Sequence, residues 1–485
     1  MSLLRNSWRQ LTSMRTALVL LFLLALASIP GSVLPQRSVN IDQVNRYVVA
    51  HPDLAPVLDR LGAFEVFSSP WYSAIYLLLF VSLVGCIVPR LRDHIRVLRS
   101  VPPEAPSRLD RLPQHAPDVT HDGGVESLAS ALRRRRWRVA VRGETVSAEK
   151  GYLRESGNLL FHFALVGVLV GVALGSLWGW HGNRLLVAGP DGAFCNTVQQ
   201  YDEYGLGTRV GAADLAPFCM ELTDFRASYH DSGQPSTYQA LVTVDGRARS
   251  FSVNSPLRLD GANVYLLGHG YAPILRYTDR DGKSQTTVAP FLPIDDVLTS
   301  EGVAAFPDVN GRNRALQMAF EGLYLPSAPA SGPFLRSEHP EERAPAVMLF
   351  AYRGNLGLDA GIPQSVYRLN PRQVAAGQLS QVGEPTLLRV GEAWTLDDGT
   401  KVEFLGTRQW ITLSVRHDPG TVIVLGSVAC LLAGLVMSLL GKRRRVWFRA
   451  TTPGSNVYEA GGLPRTDYPG FGEEFAALVR QIGRI

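Results

Sequence analysis

Four apolar runs, each about as long as a bilayer is thick, constrain this chain more than any other feature. They are Thr16–Leu34, Trp71–Val88, Leu159–Trp180 and Thr421–Leu440. A helix needs ~20 apolar residues to cross the hydrocarbon core. In lipid every backbone N–H and C=O has to be satisfied inside the segment, so runs of this kind fold as helices. A hydrophobic share of 46% over 485 residues would suit a soluble enzyme if it were evenly spread. Concentrated into four runs, it predicts a polytopic α-helical membrane protein with four transmembrane helices. The stretch between the third and fourth runs is mostly polar and long enough for one or two water-facing domains.

The division that follows is a cytoplasmic N-terminus (1–15), helix one (16–34), an extracytoplasmic loop (35–70) and helix two (71–88). A cytoplasmic loop (89–157), helix three (158–180), a large extracytoplasmic domain (181–419), helix four (420–441) and a cytoplasmic tail (442–485) complete it. The first run invites a second reading. Arg5, Arg9 and Arg15 precede it, and Ala25-Leu26-Ala27 resembles a signal-peptidase site. Cleavage would leave three spanning helices, although the second run soon afterwards favours retention. The later helices keep their orientation in either case.

That orientation follows from the positive-inside rule. Arg90, Arg92, Arg96 and Arg99 follow the second run, Arg133-Arg134-Arg135-Arg136 lie in the same loop, and Lys442-Arg443-Arg444-Arg445 follow the fourth. The segment 181–418 instead carries 20 basic and 26 acidic residues. Both termini and the 89–157 loop are therefore expected in the cytoplasm, and the large domain outside the cytoplasmic (cell) membrane. The net charge of +5 is then a topological signature, and nucleic acid is not an expected partner.

Cysteine usage matches that division. Cys86 and Cys430 fall in apolar runs, whereas Cys195 and Cys219 are the only two in the large domain. An oxidising compartment favours a bridge between them. The chain has no Cys-x-x-Cys, which argues against a thioredoxin-like donor, and no Cys-x-x-Cys-His for covalent haem attachment. The large domain reads as mainly antiparallel β. Tyr238–Asp245 alternates and ends at Asp245-Gly246, and Glu392–Leu396 with Lys401–Leu405 brackets Asp397-Asp398-Gly399. Asp-Gly between alternating runs is a strong hairpin signal. The Pro- and Ser-rich stretch Leu325–Glu342 reads as a long inserted loop. In the cytoplasmic loop, Val125–Leu132 has the pattern of one amphipathic helix, with strands to follow.

His162 stands inside the third run, in Gly157-Asn158-Leu159-Leu160-Phe161-His162-Phe163. An ionisable side chain in a spanning helix is expensive and faces a partner rather than lipid. Imidazole is a standard axial ligand for haem iron; the plainer reading is a histidine hydrogen-bonded to a neighbouring helix. Gly167, Gly171, Gly175 and Gly179 recur every fourth residue, a pattern that lets another helix approach closely. At 100° per residue Gly167 lies about 140° and Gly171 about 180° from His162. One face can pack while the other presents the imidazole. The remaining histidines expected outside (His51, His181, His230, His269, His339, His417) are scattered singly. His181 follows Trp178-Gly179-Trp180, where two tryptophans fit an interfacial belt. There is no phosphate-binding loop, nucleophile elbow or His-Glu-x-x-His motif.

Strings along nearly the whole chain resemble the ResB (CcsB) proteins of system II cytochrome c biogenesis. They include Arg15-Thr16-Ala17-Leu18, Gly31-Ser32-Val33-Leu34-Pro35-Gln36, Val66-Phe67-Ser68-Ser69-Pro70-Trp71-Tyr72 and Gly157–His162. Val253-Asn254-Ser255-Pro256-Leu257, Gly268-His269-Gly270-Tyr271-Ala272-Pro273 and His417-Asp418-Pro419-Gly420 continue the series in order. The resemblance implies one half of a complex, the other half being a ResC (CcsA) protein with a tryptophan-rich haem-binding segment. Together they would carry haem b across the membrane for attachment to apocytochrome c. This chain lacks the tryptophan-rich segment, so it resembles the unfused partner and is not expected to be an enzyme alone. By motif position the family's haem-iron ligand falls on His162, and the partner would supply the second axial ligand. Arginines near the membrane ends, Arg154 among them, are candidates to pair with haem propionates. The alternative is a membrane scaffold whose β domain binds a protein, with His162 only packing.

Overall fold

In the computed structural model, which describes residues 2–37, 41–190, 192–259, 261–331, 335–358, 367–465 and 468–483, four helices are long and apolar enough to cross a membrane. They run Met14–Val33, Pro70–Arg99, Leu153–Trp178 and Thr421–Leu440. Local chemistry sets their starts. The Ser13 hydroxyl accepts from the Thr16 amide, and the Ser69 hydroxyl accepts from the Tyr72 amide with Pro70 at the first helical position. The second helix continues past the apolar run, through Pro89, to Arg99. Hydropathy ends at Val88, but the polar continuation keeps helical spacing and buries His94.

Glycine decides where these helices touch. A Cβ at Gly157 would lie 2.6 Å from the Ser438 nitrogen and 2.7 Å from the Gly434 oxygen. One at Gly171 would lie 2.7 Å from Val424 Cγ2, and one at Gly167 would run into the Ser427 hydroxyl. The third and fourth spanning helices therefore meet backbone to backbone along one seam, about 140–180° from His162. The second helix is tied to the third by Tyr76, whose hydroxyl donates to the Leu169 carbonyl at 3.3 Å.

The segments 101–151 and 442–482 form one small domain. Its antiparallel sheet runs in the order Gln114–Thr120, Val457–Pro464, Arg444–Ala450, Thr145–Lys150, Arg138–Arg142. Helices Gly124–Arg134 and Phe471–Ile482 share its core of Leu128, Leu132, Val146, Phe448, Tyr458, Phe475 and Val479. The expected amphipathic helix is present. The tail, however, is no separate appendage, because strand Arg444–Ala450 lies between the loop's Thr145–Lys150 and the tail's Val457–Pro464.

The β-rich domain, residues 180–417, is organised around two long antiparallel strands, Ala262–Thr278 and Lys401–His417. Bulges between Leu266 and Gly268 and between Ile274 and Leu275 bend the pair. Its first half, with Trp180–Val187 and Glu203–Leu206, covers a four-stranded sheet containing Cys219–Tyr229 and Pro235–Val244 over a core of Leu222, Phe225, Val242, Val264 and Leu413. Its second half packs Tyr277 and Phe404 against Phe306, Phe320 and Tyr324 of a five-stranded sheet. Asp245 (φ 47°) and Gly246 (φ 78°) make the expected tight turn with both residues left-handed, which closes a hairpin between Pro235–Val244 and Arg247–Phe251. Residues 326–331 and 335–342 of the Pro- and Ser-rich segment form a loop, pinned where the Tyr271 hydroxyl donates to the Pro340 carbonyl at 2.9 Å, and 332–334 lie outside the described residues. Trp180 departs from the belt expected for it. It opens a strand and is 5% exposed in the first core, whereas Trp178 is exposed.

Candidate functional site

His162 lies two turns into the third spanning helix, half-buried, edge-on to Phe161 at 5.4 Å. Its Nδ1–H donates to the Asn158 carbonyl at 2.7 Å. That bond stays within its own helix, one turn back, and is not the inter-helix bond the plainer reading requires. Donation from Nδ1 places the lone pair on Nε2 and fixes the ring's orientation, which is how metal-bound histidines are usually set. Among the described residues no group of three or more His, Cys, Asp or Glu comes together to hold a metal ion. A metal at His162 would need its other ligands from the cofactor and a partner.

Glu155 lies seven residues earlier, within about 20° of the same face. Its carboxylate pairs with the Arg443 guanidinium, and one oxygen lies 3.5 Å from Nδ1 of His94. His94, buried at the end of the second helix, shares a hydrogen bond with the Ser156 hydroxyl at 3.0 Å through Nε2, while its Nδ1 has no hydrogen-bond partner among the described residues. Arg443 Nε donates to Glu149 at 2.6 Å, Arg445 lies 3.2 Å from the same oxygen, and the Tyr152 hydroxyl donates to the other at 2.5 Å. Burial alone would push the Glu149 carboxyl up, but the bonds from Tyr152 and Arg443 hold it below its ordinary range. None of Glu149, His94 or Arg443 stood out in the sequence. Arg443 sits in a basic run that also serves topology, and the other two look like ordinary charged residues. Arg154, the propionate candidate, packs its backbone and Cβ against Gly441.

In the β-rich domain Cys195 and Cys219 are bonded across paired strands, with Cα atoms 4.0 Å apart. Removing both sulfurs (Cys195→Ala with Cys219→Ala) should lower this domain's stability by about 3 kcal/mol, since the bond closes a 24-residue separation. Urea unfolding followed by tryptophan fluorescence measures it, and an unchanged midpoint would show the bond to be idle. His181 lines an open cavity of about 380 Å³ with Trp180, Arg416 and His417, and Trp180 stacks on His417 at 6.3 Å. Burial and the nearby Arg416 push the His181 pKa down.

His269 sits among Phe225, Tyr229 and Tyr238, bonded to the Tyr229 hydroxyl at 3.1 Å, and burial pushes its pKa down to about 4. The unfolded chain takes up a proton near pH 6.5 while the folded chain refuses it. Stability should therefore fall as pH drops from 6.5 towards 4, by about 3 kcal/mol at most. Hydrogen exchange in Ala262–Thr278 at pH 7 and pH 4.5 tests this. His269→Gln should remove the part of the pH dependence that other groups do not supply.

Comparison with known proteins covers nearly the whole chain. The family model described as "ResB-like family" matches residues 14–476. Proteins named "Cytochrome c biogenesis protein CcsB" from Synechococcus sp. (strain WH7803) and Gloeobacter violaceus are 25% and 26% identical, each over 97% of this chain and over 96% and 90% of their own lengths. The Prochlorococcus marinus protein of the same name is 23% identical over 99% of both. The four spanning helices, the β-rich domain and all but the last turns of the small domain lie within the matched span, and the chain belongs to the ResB-like family.

Proposed function

We propose that this chain is a membrane subunit of a cytochrome c biogenesis complex. With a ResC/CcsA-type partner it binds haem b in transit and passes it across the membrane to apocytochrome c. Its family and its relatives' names support the role in cytochrome c maturation. The observation that carries the haem reading is the Nδ1 bond from His162 to the Asn158 carbonyl, which leaves Nε2 to ligate. Where haem is bound, His162 would hold it, and the group would supply the iron porphyrin that is passed on. The chain's own contribution is to hold one half-buried imidazole in a fixed orientation. His162 stands about nine residues inside the helix that begins at Leu153, at the end that the arginine distribution assigns to the cytoplasm. That placement suits capture of a porphyrin arriving from that side. The small domain would then face the cytoplasm and the β-rich domain the outside. Co-expression with the partner, purification and absorption spectroscopy test the reading. A low-spin bis-histidine spectrum at stoichiometric occupancy is the expected result, and a stable complex free of haem would leave the scaffold reading in its place.

A further inference from the structure

We propose that Glu155 is an internal stand-in for a porphyrin carboxylate: it holds Arg443 and faces His94 until a propionate of the haem at His162 displaces it. This rests on the reading that haem binds at His162. Four observations lead to it.

The first is placement. Glu155 and His162 share a face of one helix and stand about 10 Å apart along its axis. A porphyrin held by His162 would need partners for its carboxylates on this same side of the helix. The second is the division of labour on Arg443. Its Nε is anchored by Glu149, which is 1% exposed and also engaged by Tyr152, while its other end reaches Glu155. The guanidinium can therefore exchange one carboxylate without losing the other, and a planar fork suits either.

The third observation is an unpartnered ring nitrogen among the described residues. His94 is more than nine-tenths buried, and its Nδ1 points towards the Glu155 carboxylate at 3.5 Å without forming a hydrogen bond. Buried polar atoms without partners are rare, and one beside a carboxylate marks a pairing that Glu155 only half completes. The fourth is an exit. The Glu155 side chain is 43% exposed, so on release it can be solvated, which Glu149 cannot. Exchange leaves the charge on Arg443 compensated throughout. An unliganded subunit would therefore carry no bare buried cation, and a ligand without carboxylates could not take the place.

The test uses the purified complex with its partner and two probes, iron protoporphyrin IX and its dimethyl ester, titrated by absorbance. The wild type should bind the diacid at least roughly tenfold more tightly than the ester, the scale of a charge-assisted hydrogen bond. Glu155→Gln removes the competing charge and should tighten the diacid several-fold with little change for the ester. His94→Gln should lower the diacid-to-ester ratio while melting temperature and complex yield stay as in the wild type. Arg443→Lys, which keeps the charge and loses the fork, should lower it too. Equal affinity for the two porphyrins, or a ratio untouched by Glu155→Gln, would overturn the proposal. His162→Ala separates it from its premise. Loss of both probes with an unchanged ratio in Glu155→Gln refutes the exchange alone, whereas retention of both probes refutes the haem site itself.

Discussion

Glu149→Ala is expected to destabilise the small domain by about 3–5 kcal/mol, the usual result of removing one partner from a buried ion pair. The carboxylate is 1% exposed and compensates Arg443 and Arg445, while accepting from Tyr152. Without it two guanidiniums remain in a site where water does not replace the lost partner. The strands Thr145–Lys150 and Arg444–Ala450 pair directly, so the loss falls on the element that joins the loop to the tail. Limited proteolysis and thermal unfolding should both show the domain opening. The contrast is Asp93→Ala, which breaks an exposed pair with Arg96 and should cost less than about 1 kcal/mol. Similar stability for the two variants would show that the buried cluster contributes no more than a surface pair.

The spanning helices were legible in the sequence because lipid imposes a single requirement on them, that backbone polar groups be satisfied internally and apolar side chains face out. Hydropathy reads that directly. It does not read the second helix beyond Val88, where amphipathic spacing and the buried His94 carry the helix to Arg99. Likewise Asp245-Gly246 was legible because a turn is a local matter. The small domain was not, because Arg444–Ala450 pairs both with its neighbour Val457–Pro464 and with Thr145–Lys150, which lies on the far side of the β-rich domain in the sequence. Nothing in either segment alone announces that pairing. Trp180 was misread for the same reason: next to Trp178 it looks like an interfacial residue, but its strand partner His417 places it in a core.

The candidate site divides in the same way. His162 is conspicuous because an imidazole among leucines and valines demands a reason. Gly167 and Gly171 showed half of the helix seam, while Gly157 and Gly434, which approach the opposing backbone more closely, stand outside the regular stripe. Glu155, His94 and Arg443 come from three separate elements, and only folding brings them to one face.

His162→Ala, measured as haem content of the complex purified with the proposed ResC/CcsA-type partner, is the decisive variant for the haem site. The variant should insert, be made in normal amount and hold its partner, because the seam to the fourth helix lies on the opposite face. Haem occupancy should fall at least roughly tenfold, and cytochrome c maturation with it, since the imidazole proposed to hold the iron is lost. Added imidazole should restore part of the occupancy by filling the vacated position. Gly171→Leu is the contrasting variant: its side chain would strike Val424, so it should reduce the amount of complex but not the haem bound per complex. Loss of haem in a stable His162→Ala complex, with rescue by imidazole, is the predicted result; wild-type haem content and normal cytochrome c maturation in that complex would contradict it.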